Sequence, residues 1–115
     1  MKKSLAQLRR KADRLVQIVP PGSKCLVCGQ PAQVKHHFVP KSQSHYLRYH
    51  PDNLVLLCHP CHFRHHTAGD PQIIAAIVEK KGFDWAHNLG MKRSIICKFT
   101  IGYLGGVINE LEDND

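Results

Sequence analysis

Four of the five cysteines in this 115-residue chain fall into two Cys-x-x-Cys pairs, Cys25/Cys28 and Cys58/Cys61. No other feature constrains the fold as tightly. Two such pairs can complete the four-ligand tetrahedral shell that zinc prefers. The fold must then bring residues 25–28 and 58–61 together and close the segment between them into a loop. A shell filled by four thiolates has no open position for a substrate, so this zinc is expected to be structural. A chain this short builds one domain with a thin core, and a metal clamp offsets that deficit. Cys97 is left over; beside Ile95, Ile96 and Phe99 it reads as a buried apolar thiol.

Apolar residues at Leu5, Leu8, Ala12, Leu15, Val16 and Val19 recur at helical spacing. Residues 4–19 are therefore expected to form a helix, with Ser4 as N-cap and Pro20-Pro21-Gly22 as its stop. Its polar side carries Arg9, Arg10, Lys11 and Arg14, which read equally well as a solvated face or as phosphate contacts. Residues 25–29 read as a tight metal knuckle. Residues 34–39 and 54–57 read as short strands, and residues 40–52, rich in turn formers, as the loop between them. A short helix is expected from near Pro60, carrying His62 to His66. The next helix has Asp70 as N-cap, Pro71 at its first position, Ile73, Ile74, Ile77 and Val78 on its apolar side and Gly82 as its stop. Residues 84–89 read as a further short helix. Residues 94–111 repeat apolar residues at helical spacing, but Gly102, Gly105 and Gly106 weaken that helix, and a strand over residues 95–103 is the alternative. The acidic end, residues 110–115, is expected to fray. The class is α+β: a β-loop-β-α core over residues 24–67, a basic helix over 1–23 and a mainly helical extension over 68–115.

The net charge of +7 is unevenly placed. Residues 1–50 hold ten Lys/Arg against Asp13 alone, whereas residues 51–115 hold six against eight Asp/Glu. A basic half of this kind is the electrostatic footprint of a nucleic-acid binder. No apolar run is long enough to span a bilayer, and no apolar signal region follows the basic N-terminus, so a soluble cytoplasmic protein is expected.

Nine histidines are present, and they do not read alike. His36 and His37 are adjacent, so on a strand their side chains face opposite ways. His62 and His66 are four apart and share one face of a helix. Asn53 stands just before the second strand. His59 is expected to be exposed inside the zinc knuckle, and His45, His50, His65 and His87 read as structural. Imidazole titrates near neutral pH, so a histidine can take a proton from water under working conditions. A cation held by other histidines can stabilise charge developing on a phosphoryl group.

Together, His36-His37, Asn53 and His62 resemble the HNH (ββα-metal, or His-Me finger) endonuclease motif. The four cysteines resemble the zinc-bound branch found in restriction-type and phage HNH nucleases. The Asn53 to His62 spacing and His62-x-x-x-His66 are similar to the pattern of the nuclease colicins, and the segment from His36 to Ser42 to phage recombination nucleases with an HNH-like core. The resemblance covers about residues 24–67. It implies a small ββα-metal core in which His37 is the general base, His36 and His62 are metal ligands, His66 is a third ligand or a phosphate contact, and Asn53 braces the loop and orients His37. It also implies one catalytic divalent ion, Mg2+ or Mn2+, with Ni2+, Co2+ or Zn2+ possible. Lys41, Arg48 and Arg64 are the candidate phosphate contacts.

The expected function is therefore a metal-dependent DNA endonuclease that acts as a monomer or homodimer and leaves a 5′-phosphate and a 3′-hydroxyl. One site per chain cuts one strand per encounter, so nicking with weak sequence preference is expected. Two alternatives stay open: a non-catalytic zinc-ribbon DNA-binding module, and a nuclease subunit active only within a larger complex.

Overall fold

The capping pattern of Ser4 is realised on both sides. Gln7 N–H donates to Ser4 Oγ at 3.2 Å and Ser4 N–H donates to Gln7 Oε1 at 2.8 Å, which starts helix α1, Leu5–Val16. The computed structural model describes residues 3–113. Helix α1 stops at Val16, about one turn before the apolar spacing predicts, with Gln17 as its C-cap. Ala12 and Val16 are buried there against Leu104 and Ile108 of the last helix.

Strands β1, Val34–His37, and β2, Leu54–Leu57, pair antiparallel, with Val34 opposite Leu57 and His37 opposite Leu54. β1 ends two residues early because the Asn53 side chain takes over the backbone of Val39. The loop between the strands is more ordered than its composition predicts. Ser44 Oγ accepts from Leu47 N–H at 3.0 Å and caps a single-turn helix α2, His45–Arg48. A 3-10 turn over Pro51–Asn53 follows. Four residues are too few to display an apolar repeat, so this turn left no periodic signal.

Helix α3, His59–His66, follows β2 directly. Helix α4, Pro71–Lys81, is capped by Asp70 Oδ1, which accepts from Gln72 N–H at 2.9 Å, and is stopped by Gly82 at φ 99°. Helix α5 covers Phe83–Lys92, beyond both ends of the expected helix over 84–89. Helix α6, Ile101–Asp113, settles the choice for residues 94–111 in favour of a helix, and residues 95–100 form no strand. Thr100 Oγ1 accepts from Tyr103 N–H at 3.0 Å at its start. The glycines are tolerated because Leu104 and Ile108 are held against α1. Residues 110–113 belong to this helix rather than fraying, and Glu112 pairs with Lys11 at 3.2 Å; residues 114–115 lie outside the described residues. Cys97 is only partly buried, since Ile95 and Ile96 face solvent. No helix among the described residues is long and apolar enough to cross a membrane.

The interior is divided into three small clusters. Val55, Leu57, Ile73 and Ile77 surround three of the cysteines; α1 packs on α6; Val39, Leu47 and Leu89 join the inter-strand loop to α5. Ile77 is fully buried in the first cluster. Ile77→Ala should cost about 2–5 kcal/mol in urea unfolding of the zinc-loaded chain. Ile101→Ala, at a half-exposed position, should cost under about 0.5 kcal/mol.

Candidate active site

The first knuckle is a tight turn: Gly29 sits at φ 79° and its N–H donates to the Cys25 carbonyl at 2.9 Å. The second stands at the start of α3, where Cys58 occupies the cap position. The fold brings the two together, and the four sulfurs lie within 4.8 Å of one another. Cys28 Sγ and Cys58 Sγ are 3.5 Å apart, close to the about 3.8 Å that tetrahedral zinc sets between thiolates with bonds near 2.3 Å. Burial raises the Cys58 and Cys61 thiols. Burial also opposes ionisation of Cys25, but backbone N–H donors in the two knuckles outweigh it and bring it down to about 6. The cysteines are free, not disulfide-bonded. The donor set fits a zinc ion.

A second cluster forms where α3 crosses β1. His36 lies on the face of the sheet shared with its opposite number Val55 and is buried, and α3 lays His62 and His66 over it. One ring nitrogen from each of the three lies within 4.8 Å of the others. His36 Nδ1 and His66 Nε2 are 3.3 Å apart, and His36 Nε2 is buried without a partner. Burial first, then the neighbouring imidazoles, hold His36 down to about 3. Burial, then His66 and His65, likewise lower His62. The three rings converge on one point, with His36 and His66 within hydrogen-bond distance, an arrangement that a shared divalent cation can bridge. The three histidines therefore fit a metal ion, without a carboxylate in the group.

His37 faces the other side of β1. Its Nε2 lies 2.8 Å from the Arg48 carbonyl, which can only accept, so Nε2 carries the proton and Nδ1 carries the lone pair. Burial lowers its pKa, and Lys41 and Arg48 add to this against the raising effect of the Arg48 carbonyl. Asn53 is fully buried. Its Oδ1 accepts from Val39 N–H at 2.7 Å, and its Nδ2 donates to the Val39 and Leu47 carbonyls at 3.0 and 3.1 Å. It thus ties both ends of the inter-strand loop together. Its hold on His37 is indirect, through the residue before Arg48.

A cleft of about 510 Å³ opens beside both groups, bordered by His36, His37, His62, His66, Lys41 and Gln17. Lys41 therefore stands at the cleft. The other candidate phosphate contacts are engaged within the chain: Arg48 with Asp13 at 2.8 Å and Arg64 with Asp70 at 2.6 Å. His65 also borders the cleft, with its ring centroid 4.9 Å from that of His36. Sequence reasoning missed His65 and Gln17; for His65 the only signal was its place beside His66 on a histidine-rich helix.

Residues 25–68 match the family model for HNH endonuclease. Searches of the curated proteins and of the solved structures found no match. Over residues 25–68 the chain matches an HNH endonuclease domain, and its four clustered cysteines fit the zinc-bound branch of that family. Such a domain points to nuclease and DNA-binding function.

Purified chain should contain one tightly held zinc per molecule by elemental analysis. A strong chelator or Cys58→Ser should remove it together with the cooperative thermal transition; a folded, metal-free chain would contradict this. Asn53→Ala leaves three buried backbone groups unpaired, at about 1–3 kcal/mol each, so its urea midpoint should drop by the largest amount of any single substitution in the loop.

Proposed function

We propose that the chain is a metal-dependent endonuclease that hydrolyses phosphodiester bonds in DNA, nicking one strand per encounter with low sequence specificity. The observation that carries this reading is the juxtaposition of two histidine functions across one strand: a three-histidine cluster on one face of β1 and a tautomer-fixed His37 on the other, both open to one cleft. His36, His62 and His66 would hold the divalent ion. When bound, it neutralises charge on the phosphoryl oxygens and on the leaving 3′ oxygen. His37 Nδ1 takes a proton from water as the water oxygen attacks phosphorus. The bond from phosphorus to the 3′ oxygen breaks and that oxygen takes a proton from solvent, leaving a 5′-phosphate and a 3′-hydroxyl. Burial keeps His37 neutral in this role, since its pKa lies below the usual 6.5.

The surroundings of the cleft suit a polyanion. Arg10, Arg14 and Gln17 fall on one exposed face of α1, and Gln17 and Lys41 reach the cleft. Such groups contact phosphates and carry no base-reading information, which accounts for low specificity. Imidazole donors favour a borderline cation, so Mn2+ is preferred to Mg2+, and the substrate phosphate supplies the anionic ligand that the cluster lacks. Residues 1–23 and 68–115 complete a single working unit around the 24–67 core, as a monomer or homodimer.

Relaxation of supercoiled plasmid is the test. Wild type should nick with Mn2+ and more weakly with Mg2+, and EDTA should stop it. His37→Ala should lose about 100-fold or more in rate while retaining zinc and its thermal transition. Zinc-loaded, folded wild type that shifts DNA in a gel but cuts with no divalent ion would replace this reading with that of a DNA-binding module.

A further inference from the structure

Arg48 faces two ways. Its guanidinium is held by Asp13 of α1 in a two-bond fork, with Nε donating to Oδ1 at 2.9 Å and Nη2 to Oδ2 at 2.8 Å. Its carbonyl receives the His37 Nε2 proton at 2.8 Å. Tyr49 adds a third donor to the same carboxylate, its hydroxyl lying 2.7 Å from Asp13 Oδ1. Asp13 is thus the terminus of a chain of contacts that begins on the proposed base.

Three observations give that chain weight. Helix α2 is a single turn, too short to hold its own geometry, so the direction of its last carbonyl depends on outside anchors. The anchors are the Ser44 cap, the Asn53 bond to Leu47 O and the Asp13 fork on Arg48. The Arg48 side chain is only 15% exposed, so its charge is turned inward to the carboxylate rather than presented to solvent. Asp13 is also the one acidic residue among the first fifty, on a helix whose other charges are all positive. A solvating role does not explain an acid there. Burial works against the Asp13 carboxylate, but the hydrogen bonds from Arg48 and Tyr49 outweigh it and keep it ionised.

We propose that Asp13 is a positioning residue for the nuclease site, fixing the ring of His37 through Arg48, so that α1, outside the matched residues 25–68, forms part of the active site. This rests on the nuclease reading above. It assigns Arg48 to orientation of the base rather than to a phosphate.

The test compares Asp13→Asn, Asp13→Glu and Glu112→Gln with wild type in the zinc-loaded 115-residue chain. Two readouts are used: nicking kinetics with Mn2+, and ring 15N resonances of His37 recorded without Mn2+. Asp13→Asn should lower kcat about 10–100-fold with KM within about twofold, because a displaced base loses rate rather than affinity. Its His37 signals should shift from the Nε2-protonated form towards a mixture of tautomers. Asp13→Glu restores the carboxylate and should recover most of the loss. Glu112→Gln breaks the separate α1–α6 ion pair with Lys11 and should leave kcat unchanged. An unchanged kcat and tautomer in folded Asp13→Asn would overturn the proposal, as would a loss confined to KM. Should Asp13→Asn not fold, Tyr49→Phe removes one bond to the same carboxylate; a few-fold fall in kcat is expected, and no change would overturn the proposal. A wild type that does not cut counts against the nuclease reading, and the His37 resonances then decide the positioning role on their own.

Discussion

Four thiols from two segments must meet at one point, and the remainder of the site follows from that meeting. The sheet has only four residue pairs, far too few to persist alone in water. Drawing Cys25 and Cys28 onto Cys58 and Cys61 brings the segment leading into β1 to the start of α3. That fixes which residues of β1 lie beneath the helix. His36 then falls under His62 and His66, about one and two helical turns after Cys58. A slip of one residue would bury His37 and turn His36 outward. The clamp therefore sets the register that puts His36 and His37 on opposite faces of β1.

At the far end of the ladder the same task falls to a neutral side chain. Asn53 closes the inter-strand loop with three buried hydrogen bonds, while Phe38 N–H donates to its carbonyl at 2.9 Å. The loop it closes delivers Arg48 to His37. The cysteine cluster at one end and the Asn53 amide at the other hold a short strand whose adjacent histidines have different environments. His36 is nearly inaccessible and crowded by imidazoles, and both its burial and those neighbours disfavour its protonation. His37 is held by a carbonyl, which selects its basic nitrogen.

Much of this was legible in the sequence because it rests on short-range chemistry. The Cys-x-x-Cys spacings, the i, i+4 histidines, the Ser4 and Asp70 caps and the Gly82 stop are all local signals, and the structure places each of them as the spacing predicts. What could not be read depends on tertiary packing. Helix α2 is shorter than any periodic signal. The glycines of α6 argued against a helix whose stability comes from Leu104 and Ile108 packing on α1. Ile95 and Ile96 suggested a buried Cys97, yet they stand in solvent. Asp13, Arg48 and His37 share no sequence pattern, being joined only when α1 folds against the loop.

One small domain is proposed to hold two metals with separate tasks: zinc on four thiolates and a catalytic cation on three histidines. Titration of the zinc-loaded chain with Mn2+, followed by NMR, addresses that proposal most directly, because the paramagnetic ion broadens signals near its own site. Saturable broadening centred on His36, His62 and His66 is expected, lost in His62→Ala, with the zinc retained. Broadening centred elsewhere, or none at millimolar Mn2+, would contradict the proposal.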